Sequence, residues 1–159
     1  MIRVSCIALL AALFGAASPI AQAPANTLLV VIDDLGPEFV QCYGGVANPP
    51  ATPNLNALAG KGVRFANAYA NPVCTPTRAC LMTGRHAFRS GMEVTCMPGD
   101  AGLRPEEWLL PEGLGALGYA CAYIGKWHLG DRHGLATPNV QGWPHFVGAL
   151  YGNIPNYTA

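Results

Sequence analysis

Pro72-Val73-Cys74-Thr75-Pro76-Thr77-Arg78-Ala79-Cys80-Leu81-Met82-Thr83-Gly84 reads as a short helix with a chemically loaded first turn. Pro76 pre-sets φ for the start of a helix and lacks only an N–H that would be unpaired there. Residue 74 then sits at or just before a helix N-terminus, where partial positive charge favours an anion. Arg78, four residues on, lies on the same helical side and can orient an oxygen nucleophile or a bound oxyanion. The pattern Cys-x-Pro-x-Arg taken alone also suits a buried or mildly reactive cysteine beside a structural arginine.

Upstream, Leu28-Leu29-Val30-Val31-Ile32 is an apolar run of strand length. Such runs mark strands buried on both faces, as in a parallel sheet. The run ends in Asp33-Asp34, and ligands of open α/β sheets bind beyond the carboxyl ends of strands. Adjacent carboxylates there are costly without a positive neighbour, and a hard divalent cation, Ca²⁺ or Mg²⁺, is a natural one. The pair by itself also suits a solvated turn in which one aspartate caps a helix. Thr52-Pro53 then opens a helix with Leu55, Leu58 and Ala59 on one face, and Gly60 or Gly62 ends it. Val63 to Tyr69 reads as a second strand.

Downstream, Glu106 to Leu117 contains a helix broken or started at Pro111 and ending at Gly118. Tyr119 to Ile124 reads as another buried strand, leading into Gly125-Lys126-Trp127-His128. Lys126 and His128 are two apart, so in extended chain both point the same way. From Asp131 onward the chain is rich in Gly, Pro and aromatics and reads as loop. Strands alternating with helices predict an α/β fold, a doubly wound, mostly parallel sheet with helices on both faces. One cleft at the ends of core elements could then hold Asp33, Asp34, Cys74, Arg78, Lys126 and His128.

Two stretches together resemble the signatures of the formylglycine-dependent sulfatases, an arylsulfatase-like family of the alkaline phosphatase superfamily. The first is Pro72 to Gly84. The second is Gly118-Tyr119-Ala120-Cys121-Ala122-Tyr123-Ile124-Gly125-Lys126-Trp127-His128, which departs from the family pattern at Cys121, where Ser or Thr is expected. Val31-Ile32-Asp33-Asp34-Leu35-Gly36, followed by Cys42-Tyr43-Gly44-Gly45, is similar to the family's opening metal-binding segment. Thr52 to Leu58 and Gly62 to Tyr69 are also typical of it. The likeness runs from about Leu28 to at least Asp131, with a weaker echo to Ala159.

The resemblance implies sulfate-ester hydrolysis by a formylglycine made from Cys74 after translation. It implies Asp33 and Asp34, with residue 74, as part of the shell of a divalent metal, Ca²⁺ or Mg²⁺. It further implies that Lys126 contacts the sulfate and that His128 helps turn over the formylglycine, with Arg78 adding positive charge where the site must hold a dense anion. The partners expected are a sulfate-ester small molecule or a sulfated glycan, and a formylglycine-generating or other sulfatase-maturing enzyme. The family's remaining metal ligands, typically an Asp-Asn pair, and a further histidine and lysine come from later sequence. The chain is therefore expected to be the N-terminal part of a catalytic domain, its sheet and metal shell incomplete. Phosphonate or phosphate monoester hydrolysis within the same superfamily, and an inactive remnant or anion-binding module, are the alternatives.

Composition agrees with a loop-rich globular chain. Charged residues make up 11% of the 159 residues and the formal net charge is zero, so nothing pulls it globally toward nucleic acid or anionic lipid. Arg3, the apolar run Val4 to Ala17 and the small residues up to Ala25 read as an export signal over residues 1–25, with 26–159 as the catalytic part. That run is too short for an ordinary membrane span, and a periplasmic or secreted location is expected. Beyond it lie Cys42, Cys74, Cys80, Cys96 and Cys121, an odd set that leaves Cys74 a separate job. His86, His133 and His145 read as structural or exposed, and Trp108, Trp127 and Trp143 as packing groups.

Overall fold

The structure, a computed structural model, describes residues 25–131 and 134–152. The chain divides into two units, residues 1–32 and residues 33–159. The expected export signal lies outside the described residues except for Ala25. In the first unit, residues 25–32 adopt no regular secondary structure. The strand expected at Leu28–Ile32 is thus not formed, and these side chains are exposed, Leu28 to 87%. Backbone N–H and C=O groups make a strand only where a neighbour pairs them, and among the described residues none pairs these. The same reason accounts for Val63 to Tyr69, which also forms no strand.

In the second unit a 3₁₀ turn (Pro37–Phe39) precedes α1 (Pro53–Lys61). Thr52 stands at the N-cap as expected, and Gly62 ends the helix by donating its N–H to Leu58 O at 2.9 Å. Gln41 braces this start: its side-chain oxygen accepts from Thr52 N at 2.8 Å and from Asn56 Nδ2 at 2.9 Å. Helix α2 (Cys74–Thr83) carries proline in its first turn and stops at Gly84, whose φ of 66° suits a residue without a Cβ. A short α3 (Ala87–Ser90) follows. Helix α4 (Leu110–Ala116) has Pro111 as its second residue, its first-turn Glu112 accepting the Leu109 N–H at 2.6 Å.

Strand β1 (Ala122–Lys126) pairs in parallel with β2 (His145–Ala149), Ile124 opposite Val147 and Gly125 opposite Gly148. A Cβ at Gly148 would overlap the Gly125 backbone, so this register requires glycine. Strand β2 corrects the reading of everything after Asp131 as loop. Phe146 and Val147 favour a pleated surface, but a run this short becomes a strand only because β1 lies beside it.

The core joins Ala79 and Met82 of α2 to Met92, Cys96, Leu103, Leu109, Cys121, Trp127, Leu129 and Trp143. Trp127 is fully buried and donates its indole N–H to Ala136 O at 2.8 Å. Tyr123 meets Trp127 and Trp143 edge-on, with centroids 5.4 and 5.2 Å apart. Trp108 does not pack as expected and is 65% exposed. Cys42, Cys74, Cys80, Cys96 and Cys121 are all free thiols. No helix among the described residues is long and apolar enough to cross a membrane.

Candidate active site

Cys74 is the first residue of α2, and no side chain caps that helix. Its N-terminal dipole is therefore available to a charged group beside residue 74. Arg78 lies one turn further on. Strand β1 delivers Lys126 at its C-terminal end, and His128 follows with φ 59°. That left-handed backbone is uncommon for a side-chain-bearing residue. It turns the imidazole toward the helix start, where His128 Nδ1 stands 3.0 Å from Cys74 Sγ.

Cations gather on the same spot. Lys126 Nζ donates to Asp33 Oδ2 at 2.5 Å, and Arg78 NH2 lies 3.6 Å from the same oxygen. The hydrogen bond from Lys126 is the main cause that holds the Asp33 carboxyl below its ordinary range, against the opposing effect of burial. Burial alone would depress Lys126, but its bonds to Asp33 and Cys74 outweigh that and raise it. Both groups are thus held charged. Burial lowers His128, the Lys126 charge lowers it further, and a hydrogen bond with the Cys96 backbone works the other way. The imidazole is accordingly neutral at neutral pH, with a lone pair able to take a proton.

Arg78 is 6% exposed and anchored rather than free. Its NH1 donates to the Tyr123 hydroxyl at 3.0 Å and to the Lys126 carbonyl. Tyr123 in turn donates to that carbonyl at 2.5 Å. Arg78 Nε is buried with no hydrogen-bond partner among the described residues. Sequence reasoning assigned Tyr123 no role. The residue lies inside the second signature stretch, but only the folded chain shows its hydroxyl on both Arg78 and Lys126.

Five of the six expected site residues therefore converge: Cys74, Arg78, Lys126, His128 and Asp33 are linked by the contacts above. Asp34 adjoins them in sequence, exposed and with φ 55°. The expected metal set of Asp33, Asp34 and Cys74 is not assembled, and among the described residues no group of three or more His, Cys, Asp or Glu side chains is placed to hold a metal. Asp33 Oδ2 is instead paired with Lys126 and Arg78. Two carboxylates are hard donors suited to Ca²⁺ or Mg²⁺, yet Ca²⁺ takes about six to eight oxygens. These residues alone do not fit a complete metal site.

Comparison with known proteins gives this geometry its context. The Sulfatase family model matches residues 25–158. Arylsulfatase A of Homo sapiens is 42% identical over 135 residues, which are 82% of this chain and 26% of that protein. N-acetylgalactosamine-6-sulfatase of Homo sapiens is 40% identical over 158 residues, 86% of this chain and 30% of that protein. The crystal structure of Ps i-CgsB superposes with a TM-score of 0.59 at 35% identity, over 64% of this chain and 23% of that one. The same protein in complex with k-i-k-neocarrahexaose gives a TM-score of 0.59 at 34% identity. The chain thus spans between a quarter and a third of the length of these curated relatives. With the family match covering all the described residues, and a thiol, an imidazole, an ammonium and a guanidinium meeting at one helix start, the chain belongs to the sulfatase family.

Proposed function

We propose that this chain is the nucleophile-bearing part of a sulfuric ester hydrolase, an exported one acting in the periplasm or outside the cell. The observation that carries the reading is the 3.0 Å approach of His128 Nδ1 to Cys74 Sγ beside Lys126 and Arg78. Converted to formylglycine by a maturation enzyme, residue 74 would supply a hydrated aldehyde whose hydroxyl attacks sulfur as the alcohol or phenol leaves. Sulfate would depart when the second hydroxyl loses its proton and the aldehyde re-forms. Lys126 and Arg78 are the groups that would hold the anionic sulfate oxygens, with the start of α2 adding partial positive charge. Arg78 is fixed for that task by Tyr123, so little reorganisation is needed when an oxyanion arrives. His128, neutral and facing residue 74, would take a proton at Nδ1 from a hydroxyl carried there.

Asp33 fits this scheme as the partner that keeps Lys126 charged and extended toward the site. Asp33 and Asp34 would contribute to a divalent-cation shell only together with oxygen ligands from other sequence. The expected substrate is a sulfate ester, either a small aryl compound or a sulfated glycan. Ps i-CgsB in complex with k-i-k-neocarrahexaose makes a saccharide reasonable. The doubly wound sheet is proposed as the architecture that β1 and β2 belong to.

The test is mass spectrometry on the tryptic peptide Phe65 to Arg78, paired with turnover of an aryl sulfate. A peptide about 18 Da lighter than the cysteine form, in protein that hydrolyses the ester, is the expected result. Hydrolysis by protein whose Cys74 is an intact thiol would overturn the assignment. Faster hydrolysis of an aryl phosphonate than of the sulfate would move the substrate class.

A further inference from the structure

His128 is held from two sides by groups to which the chemistry above gives no part. Thr75, next to the nucleophile position, is fully buried. Its Oγ1 donates to the His128 carbonyl at 3.0 Å and accepts the Cys96 N–H at 3.0 Å. A hydroxyl has one proton to donate, and here it goes to His128. One side chain therefore ties the start of α2, the His128 turn and the Cys96 segment together.

The other side is closed by the chain leaving β2. The His128 N–H donates to Leu150 O at 2.9 Å. Two residues later, Gly152 lies against the imidazole: a Cβ there would stand 2.9 Å from Cε1 and 3.1 Å from Nε2. The first of these distances is one that real side chains essentially never show, so any other residue at 152 must displace the ring or the chain. Tyr151, between these two contacts, donates its hydroxyl to Asp131 Oδ2 at 2.7 Å and pins the strap. The ring thus has Cys74 Sγ at Nδ1 and Gly152 against its Cε1–Nε2 side.

We infer that Thr75 and Gly152 are positioning residues for His128. The Thr75 hydroxyl fixes the left-handed backbone from which the ring projects, and the missing side chain at Gly152 leaves the slot the ring occupies. Together they set Nδ1 on the atom carried by residue 74. The catalytic consequence rests on the proposed pairing of residue 74 with His128, but the contact itself can be tested without turnover.

The experiment uses the full chain with Cys74 left as a thiol. Long-range ¹H–¹⁵N correlation spectra of the His128 ring report the state of Nδ1 and Nε2. The iodoacetamide alkylation rate of Cys74, read by peptide mass at neutral pH, reports the contact from the other side. Thr75→Ser keeps the hydroxyl and should leave both readouts at the parent values. Thr75→Val and Gly152→Ala should shift the ring signals and slow alkylation by about five-fold or more, to the rate of His128→Ala. If Thr75→Val does not fold, Gly152→Ala carries the test, because it changes a partly exposed residue near the edge of the sheet. Unchanged His128 signals and alkylation in folded variants, or failure of Thr75→Ser to match the parent, would overturn the inference. These readouts concern the thiol protein, so absence of formylglycine or turnover would sink the sulfatase reading and leave this inference standing, and the reverse also holds.

Discussion

Residues 33–73 and 74–152 share one unit but are built differently. Before Cys74 the buried apolar side chain is Val40, and α1 buries none of its residues. After it come Ala79, Met82, Leu103, Leu109, Trp127, Leu129 and the rest of the core. Helix α1 therefore stands on a proline start, a glycine stop and the hydrogen bonds that tie Gln41 to Thr52 and Asn56. Helix α2 has similar local signals and a packed face as well. Most helical stability in proteins comes from such packing, so the two regions should respond very differently to the same substitution. The site follows the division: Cys74, Arg78, Lys126 and His128 ride on the packed region, and Asp33 reaches them through ion pairs.

The sharpest way to break this comparison is one chemical change made in both regions. Leu109→Ala removes a fully buried side chain and should cost about 3 kcal/mol in urea unfolding, transfer and cavity terms together. Leu58→Ala on α1, where the side chain is 68% exposed, should cost less than about 0.5 kcal/mol. Equal losses would mean that α1 is packed in solution and that the contrast is false.

A smaller effect is expected where the packed region buries a charge. Glu107 is 5% exposed, and its two oxygens take Arg85 at 2.6 Å and Arg104 at 2.9 Å. Glu107→Gln should lower stability by about 2 kcal/mol, below the usual cost of breaking a fully buried pair because both arginines are partly in water. A loss that vanishes in high salt would place this triad with surface ion pairs instead.

A still smaller effect than that of Glu107 belongs to Asp33. Its carboxyl is held below the ordinary value of 3.8, so its pairing adds stability above that value and loses it as pH falls through the folded one. With the side chain 35% exposed, the contribution should stay under about 1 kcal/mol. Asp33→Asn should therefore be slightly less stable than the parent at pH 7 and indistinguishable from it once both carboxyl states are protonated. Urea midpoints of the two proteins across the acid range check this. A difference that persists at the acid end would show that Asp33 acts through something other than its charge.

Much of the site was legible along the chain because its residues are grouped by local geometry. Cys74 and Arg78 are a helical turn apart, and Lys126 and His128 straddle the end of a strand. Pro53, Pro76 and Pro111 fix φ at helix starts, and Gly84 and Gly118 reach the positive φ that follows helix ends, with no tertiary contact needed. Strand assignment was less secure for a physical reason. Leu28–Ile32 and Val63–Tyr69 have strand-like composition but no paired neighbour among the described residues, whereas His145–Ala149 becomes a strand because β1 supplies one.

Sequence by itself determined where α1 starts and ends, the chemical types at the site and the family, whereas α3 and the first residue of α4 came from the fold. Tertiary structure decided that Lys126 and Arg78 share Asp33, and that Tyr123 anchors Arg78. It also decided that Thr75 and Gly152 close on His128. Those contacts join residues tens of positions apart. Only the folded core, in which Ala79 and Met82 of α2 join Cys121, Trp127 and Leu129 around β1, brings their atoms within reach.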